Sequence, residues 1–261
     1  MNDSADRDRP GFTTLSEEPT KAPPGFSHPG WRRRFPWLVQ GTTSRGDLRA
    51  PFDLGLFSDA SPALGVARNW DALRSSTGFQ RVVHSHQVHG PSVRFHGFGP
   101  PGLHLADPCD GHATASPGVL LTVTVADCVP VFVVDPGRRV VALLHAGWRG
   151  TAAGVLEHGL QMLRERVGSH ASDLRVHFGP SICGDCYEVG PEVFDALGLE
   201  VPGGPALLDL RVVLARRAVV AGVPAGSVSV SELCTRCSED ALFSHRGGDR
   251  ERQAAYLGIA L

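Results

Sequence analysis

An α/β fold of the mixed α+β kind, a single layered domain with a mixed β-sheet flanked by helices, is the class the sequence predicts. Three β-branched apolar runs follow one another, Val119–Val125, Val131–Val134 and Val140–Leu144, separated by the turn-like Asp127-Cys128 and Asp135-Pro136-Gly137. Such continuous apolar strands are covered on both faces. Beyond them, Val155, Leu156, Leu160, Leu163 and Val167 recur at helical spacing with Gly168 as a stop. Strands alternating with amphipathic helices define the class.

The elements follow in chain order. Residues 1–36 carry Asp, Arg, Pro and Gly with little apolar periodicity and are predicted to be a mobile N-terminal tail. Residues 37–261 then form a single catalytic α/β domain, with Trp37–Gly41 as its first strand. Leu174–Phe178 is a further strand, and Leu210–Val220 a second helix with Asp209 as N-cap and Gly222 as stop.

Composition narrows the function. A chain of 261 residues with 42% hydrophobic content supports one sizeable core, and no internal repeat argues for two. A net charge of −2 without a basic block gives no electrostatic case for nucleic acid or an anionic membrane. Lys21 is the only lysine, which excludes Schiff-base and P-loop chemistry in the catalytic part. Positive charge is carried by arginine, suited to bidentate phosphate binding. No apolar run reaches the roughly 18 to 20 residues of a membrane span, and the N-terminus lacks a secretory hydrophobic region. A cytoplasmic protein is expected, and six cysteines there are thiols or ligands.

Three fragments carry the chemistry: Gln87-Val88-His89-Gly90, Ala126-Asp127-Cys128-Val129-Pro130 and His145-Ala146-Gly147-Trp148-Arg149-Gly150. His89, Cys128 and His145 each stand at a strand end next to a glycine or a turn. Together they suit a three-ligand zinc site with an open fourth position. Spacing alone somewhat favours the alternative, a buried cysteine with two hydrogen-bonded core histidines. His84 and His86 share a strand face that His89 leaves, and are assigned to packing or to support of the site. Arg149 lies just before a helix N-terminus, where free N–H groups favour an anion. Asp127 is placed to hold a ligand or a neighbouring loop.

In this order and at these separations, the fragments resemble the laccase-like "multicopper polyphenol oxidase" family. Thr43-Ser44-Arg45, Asp110-Gly111, Gly179-Pro180-Ser181-Ile182, Cys186-Tyr187-Glu188-Val189-Gly190, Leu208-Asp209-Leu210, Cys234-Thr235 and Phe243-Ser244 extend the resemblance from about Gly41 to the C-terminus. It implies a zinc-dependent purine nucleoside phosphorylase with adenosine deaminase activity, acting on purine nucleosides and phosphate as a monomer or weak homo-oligomer. The metal ligands implied are His89, Cys128 and His145; Arg45 and Arg149 are the phosphate-binding pair, and Glu188 a polar group for proton transfer. Copper is disfavoured, because a blue-copper site needs an axial methionine and only Met1 and Met162 exist. The His-x-Glu signature of ordinary zinc nucleobase deaminases is missing.

The chain departs from the family pattern at Gly46-Asp47, where paired glycines are usual, at Asn69-Trp70 in place of Asn-Arg, and at Ser244-His245-Arg246 in place of Ser-Tyr-Arg. These changes bear on substrate choice more than on metal binding. Cys183-x-x-Cys186 and Cys234-x-x-Cys237 allow a structural zinc, a redox disulfide or plain thiols. Competing readings are an amidase-type hydrolase editing cell-wall peptide precursors with Cys128 as nucleophile and His145 as base, a polyphenol oxidase, and a non-catalytic metal-stabilised binding module.

Overall fold

The computed structural model describes residues 11–47, 49–238 and 240–261. The apolar runs are strands as expected, but they belong to two stacked seven-stranded sheets. One sheet runs Thr13–Leu15, Val228–Ser231, Arg175–Phe178, Val129–Asp135, Val140–Ala146, Gly111–Thr114, Val93–His96. The other runs Glu18–Lys21, Pro24–Ser27, Leu38–Thr43, Gln253–Ile259, Val119–Val125, Arg81–Ser85, Gly102–Ala106. Both mix parallel and antiparallel pairs.

Strand alternation explains the layering. Phe132, Val134, Val141 and Leu143 turn inward to meet Leu121, Val123, Ala255 and Leu257 of the second sheet. Their neighbours Val131, Val133, Ala142 and Leu144 point the other way, against helices Val155–Val167 and Leu210–Val220. Helix Ala63–Thr77 covers the outer face of the second sheet through Val66, Trp70 and Leu73, which pack on Leu120, Ala254 and Tyr256. The order is helix, sheet, sheet, helix. Burial of every residue in Val129–Asp135 and Val140–Ala146 follows from that sandwiching.

The helix signals hold: Gly168 ends Val155–Val167 in the left-handed region, and the Asp209 carboxylate accepts the Arg211 N–H. Helix Leu210–Val220 is capped by Ala221, one residue before the expected Gly222.

The expected N-terminal tail is corrected from Gly11 onward; residues 1–10 lie outside the described residues. Thr13–Leu15 pairs in parallel with Val228–Ser231, and Glu18–Lys21 with Pro24–Ser27 extends the other sheet. Glu17 is buried, 3.0 Å from His177 Nε2 and accepting from Ser231 Oγ at 2.7 Å. Trp31 and Phe35 anchor the segment in the core. Short polar edge strands carry no periodicity to read, because one side of each is open to water.

Three parallel strands of the second sheet, Arg81–Ser85, Gly102–Ala106 and Val119–Val125, end on the same edge of the sandwich. From each, the chain crosses to a strand of the first sheet: to Val93–His96, Gly111–Thr114 and Val129–Asp135. The candidate site is built on these crossovers.

Candidate metal centre and active-site cavity

His89 lies in the first crossover, Asp110 at the end of the second, Cys128 in the third, and His145 near the end of strand Val140–Ala146. Their convergence follows from topology, since that strand is antiparallel to both Gly111–Thr114 and Val129–Asp135 and so finishes where they begin.

The donor atoms of His89, Cys128 and His145 all lie within 4.8 Å of one another. His89 Nε2 is 3.9 Å from Cys128 Sγ, and the two imidazoles stand edge to face with centroids 4.8 Å apart. A tetrahedral zinc with bonds of about 2.0 Å to nitrogen and 2.3 Å to sulfur sets those atoms about 3.6 Å apart. The donor set fits.

Asp110 organises the site, and sequence reasoning missed its role. Its buried carboxylate accepts the backbone N–H groups of Val88, His89 and Gly90 at 3.0, 2.9 and 2.8 Å, and His145 Nδ1 donates to it at 2.8 Å. A histidine donating from Nδ1 turns the Nε2 lone pair outward to a ligand position. His89 and Asp127 adopt positive φ of 58° and 85°. Each such conformation costs about 1–3 kcal/mol and persists only where surroundings fix it. For His89 the fixing group is Asp110. For Asp127 it is a ring of donors: Thr235 Oγ1 at 2.6 Å, Ser244 Oγ at 2.8 Å and the Arg246 N–H at 2.7 Å.

Gly147 completes the cradle. A Cβ there would lie 2.9 Å from Cys128 Sγ and 3.0 Å from His89 Cδ2, closer than packed atoms approach. Only glycine permits the thiol and imidazole to meet against this backbone.

Without metal, Cys128 and His145 form an ionised pair. Burial alone raises the thiol, but the charge and hydrogen bond of His145, with help from His89, bring it down to about 6. Burial alone lowers His145, and the Cys128 thiolate with the Asp110 carboxylate raises it to about 9. The Cys128 thiolate is thus ready to bind a metal, whereas His145 can do so only as a metal ion displaces its Nε2 proton.

All three donors line one cavity of about 340 Å³, shared with Gly55, Phe57, His86, Gln87, His245 and Arg252. That volume suits a small organic ligand. His84 instead sits buried against Trp70 with Nδ1 3.3 Å from the Thr122 carbonyl, and burial lowers it to about 4.

The remaining expected residues fall outside this lining. Arg149 is exposed on the second residue of helix Trp148–Ala152, within the helix and not ahead of it, 4.2 Å over the Trp148 ring. Gly147 has already taken the cap, so the turn begins one residue early. Arg45 is paired with Asp249 at 2.7 Å, donates to the Leu242 carbonyl at 3.1 Å and stacks on Phe243. The arginine in the cavity is Arg252, which had no motif around it. Glu188 is exposed and contributes its carbonyl to Arg246, at 2.9 Å. Among the described residues lining the cavity none is a carboxylic acid, and the imidazoles there besides the triad are His86 and His245. His245 is one of the departures noted above.

The sequence and fold have relatives. Residues 39–260 match the family described as multi-copper polyphenol oxidoreductase laccase, and the chain belongs to that family. Over 259 residues it is 34% identical to purine nucleoside phosphorylase YlmD of Geobacillus stearothermophilus, covering 88% of this chain and 94% of that one. Adenosine deaminase RL5, from an unknown prokaryotic organism, is 36% identical over 148 residues, 52% of this chain and 56% of its own. The crystal structure of Geobacillus stearothermophilus YlmD superposes with a TM-score of 0.81 at 32% identity, covering 87% of this chain and 93% of that one. No helix among the described residues is long and apolar enough to cross a membrane.

Proposed function

We propose that the protein is a zinc-dependent purine nucleoside phosphorylase, converting adenosine, inosine, guanosine or methylthioadenosine with phosphate to the free base and ribose 1-phosphate, with adenosine deaminase activity. The observation that carries it is the His89, Cys128, His145 triad lining a nucleoside-sized cavity together with Arg252, His86 and His245. The similarity to a phosphorylase across 94% of that relative's length supports the same reaction.

Zinc held by the triad supplies a Lewis acid at the cavity wall. The chain does the rest. Asp110 keeps His145 in the tautomer that presents Nε2 and fixes the backbone carrying His89. Arg252 holds the phosphate inside the cavity, and Arg149, with no carboxylate partner among the described residues, draws the anion in from the surface. Arg45 acts at a distance, fixing Asp249, which in turn accepts the Ser244 N–H at 2.8 Å beside His245. Phe57 offers a face for the purine. His86 and His245 are placed to give a proton to the departing base, or to pass one during deamination. Glu188 remains a weaker candidate for that duty, since its side chain faces solvent. None of the six cysteines is in a disulfide, which suits the reducing cytoplasm.

The test is base release from adenosine with and without phosphate, for wild type and Cys128→Ala, alongside metal content. Phosphate-dependent release lost in the variant is the expected result. A second reading rests on the Cys128 and His145 ion pair, which is also the arrangement of a cysteine hydrolase. Full activity on an amide substrate after complete metal removal, abolished by alkylation, would favour it.

A further inference from the structure

We propose that the chain carries a second metal site, a structural zinc held by Cys183, Cys186, Cys234 and Cys237, separate from the triad. The four sulfurs lie within 4.8 Å of one another. Cys237 Sγ stands 3.9 Å from Cys183 Sγ and 3.3 Å from Cys186 Sγ. Four thiolates bonded tetrahedrally to zinc at about 2.3 Å sit about 3.8 Å apart. Two separate disulfides would instead draw the sulfurs into exclusive pairs, whereas Cys237 is shared between two partners.

The backbone is folded around thiolates. Cys234 Sγ accepts the N–H groups of Cys183 and Cys237 at 3.2 and 3.4 Å, one from each Cys-x-x-Cys segment. In the first segment a 3-10 turn, Gly184–Cys186, brings Cys186 back toward Cys183. In the second, the chain bridges to Ser181 at Cys234, and the Thr235 N–H donates to the Ser181 carbonyl at 3.1 Å. The buried Arg211 guanidinium binds Asp209, whose carboxylate accepts the Gly184 N–H at 3.3 Å, so the ion pair fixes the turn between Cys183 and Cys186.

The position gives the site its purpose. The two Cys-x-x-Cys loops leave the parallel strands Arg175–Phe178 and Val228–Ser231 on the same edge of the sandwich. The first continues into Tyr187 and Glu188; the second supplies Thr235, Ser244 and Arg246, the three donors that hold Asp127 next to Cys128. A zinc joining the loops staples the wall of the cavity. It does so without touching substrate.

The test is zinc stoichiometry of the full chain purified without added metal, with cobalt substitution as an independent readout. Two zinc ions per chain are expected. The variant Cys183→Ser/Cys237→Ser should lose one of them together with the thiolate-to-cobalt charge-transfer bands of a tetrathiolate site. The variant His89→Ala/Cys128→Ala should keep that zinc and those bands, so failure of the triad and failure of this site are told apart. Cys237→His, which preserves a ligand, should retain the zinc that Cys237→Ser releases, separating ligation from general unfolding. Unchanged zinc content and unchanged cobalt bands in Cys183→Ser/Cys237→Ser overturn the proposal. So does an intact mass of the native protein showing these four cysteines as disulfides.

Discussion

Asp110 Oδ1 accepts from His145 Nδ1 at 2.8 Å and from the His89 N–H at 2.9 Å, so one carboxylate oxygen orients one imidazole of the triad and the backbone of the other. Asp110 and His145 are both almost wholly buried, and the bond sets which face of the His145 ring is free. Exchange of Asp110 for its neutral amide keeps the shape and removes the charge.

Asp110→Asn should therefore weaken zinc binding by roughly 10- to 100-fold while leaving the overall fold in place. Competition with a chromogenic chelator measures it. Wild-type affinity in the variant would mean the carboxylate is only a packing group.

In metal-free protein, Cys128 should behave as a thiolate from about pH 6 upward. The depressed value means protonation, and loss of reactivity, only as pH falls through that point. Its alkylation rate, followed by peptide mass spectrometry, should be nearly flat from pH 7 to pH 8, where an ordinary thiol with a pKa near 8.5 is still climbing. Added zinc should protect it. A midpoint at the ordinary thiol value would show that His145 does not stabilise the thiolate.

Gly147→Ala places a methyl group 2.9 Å from Cys128 Sγ. Zinc occupancy and turnover should both fall, whereas Gly203→Ala, where a Cβ meets open space, should change neither. Equal zinc content in the two variants would contradict the cradle.

His245 lines the cavity but donates nothing to the triad. His245→Ala should keep its zinc and lower kcat by roughly 100-fold if its imidazole moves the proton. His245→Tyr, which restores the residue usual at this position in the family pattern, should shift nucleoside preference. A KM change alone, with kcat intact, would reduce His245 to a binding role.

Helix Val155–Val167 and the three central strands were legible because their apolar period is long and their stops are glycine or turn chemistry. The donor trio was legible as a group too: Cys128 and His145 fall at the ends of apolar runs, where backbones turn, and His89 follows strand Arg81–Ser85 in the first crossover. The Thr13–Leu15 and Glu18–Lys21 strands were not, because an edge strand half in water shows no pattern distinguishable from a loop.

The sequence by itself determined the α/β class, the family resemblance, the three donors and the pairing of two Cys-x-x-Cys segments. It could not say that the strands divide between two sheets, because a strand apolar on both faces does not reveal what covers each. Only the tertiary structure decided which carboxylate backs the triad and which arginine lines the cavity. Asp110 and Arg252 are recruited by crossovers between the sheets, from positions far apart in the chain, whereas Arg45, Arg149 and Glu188 sit beside motif residues and still fall outside the cavity lining. Proximity along the chain fixes local conformation, but the direction a side chain faces at a loop is set by the strands that the loop joins.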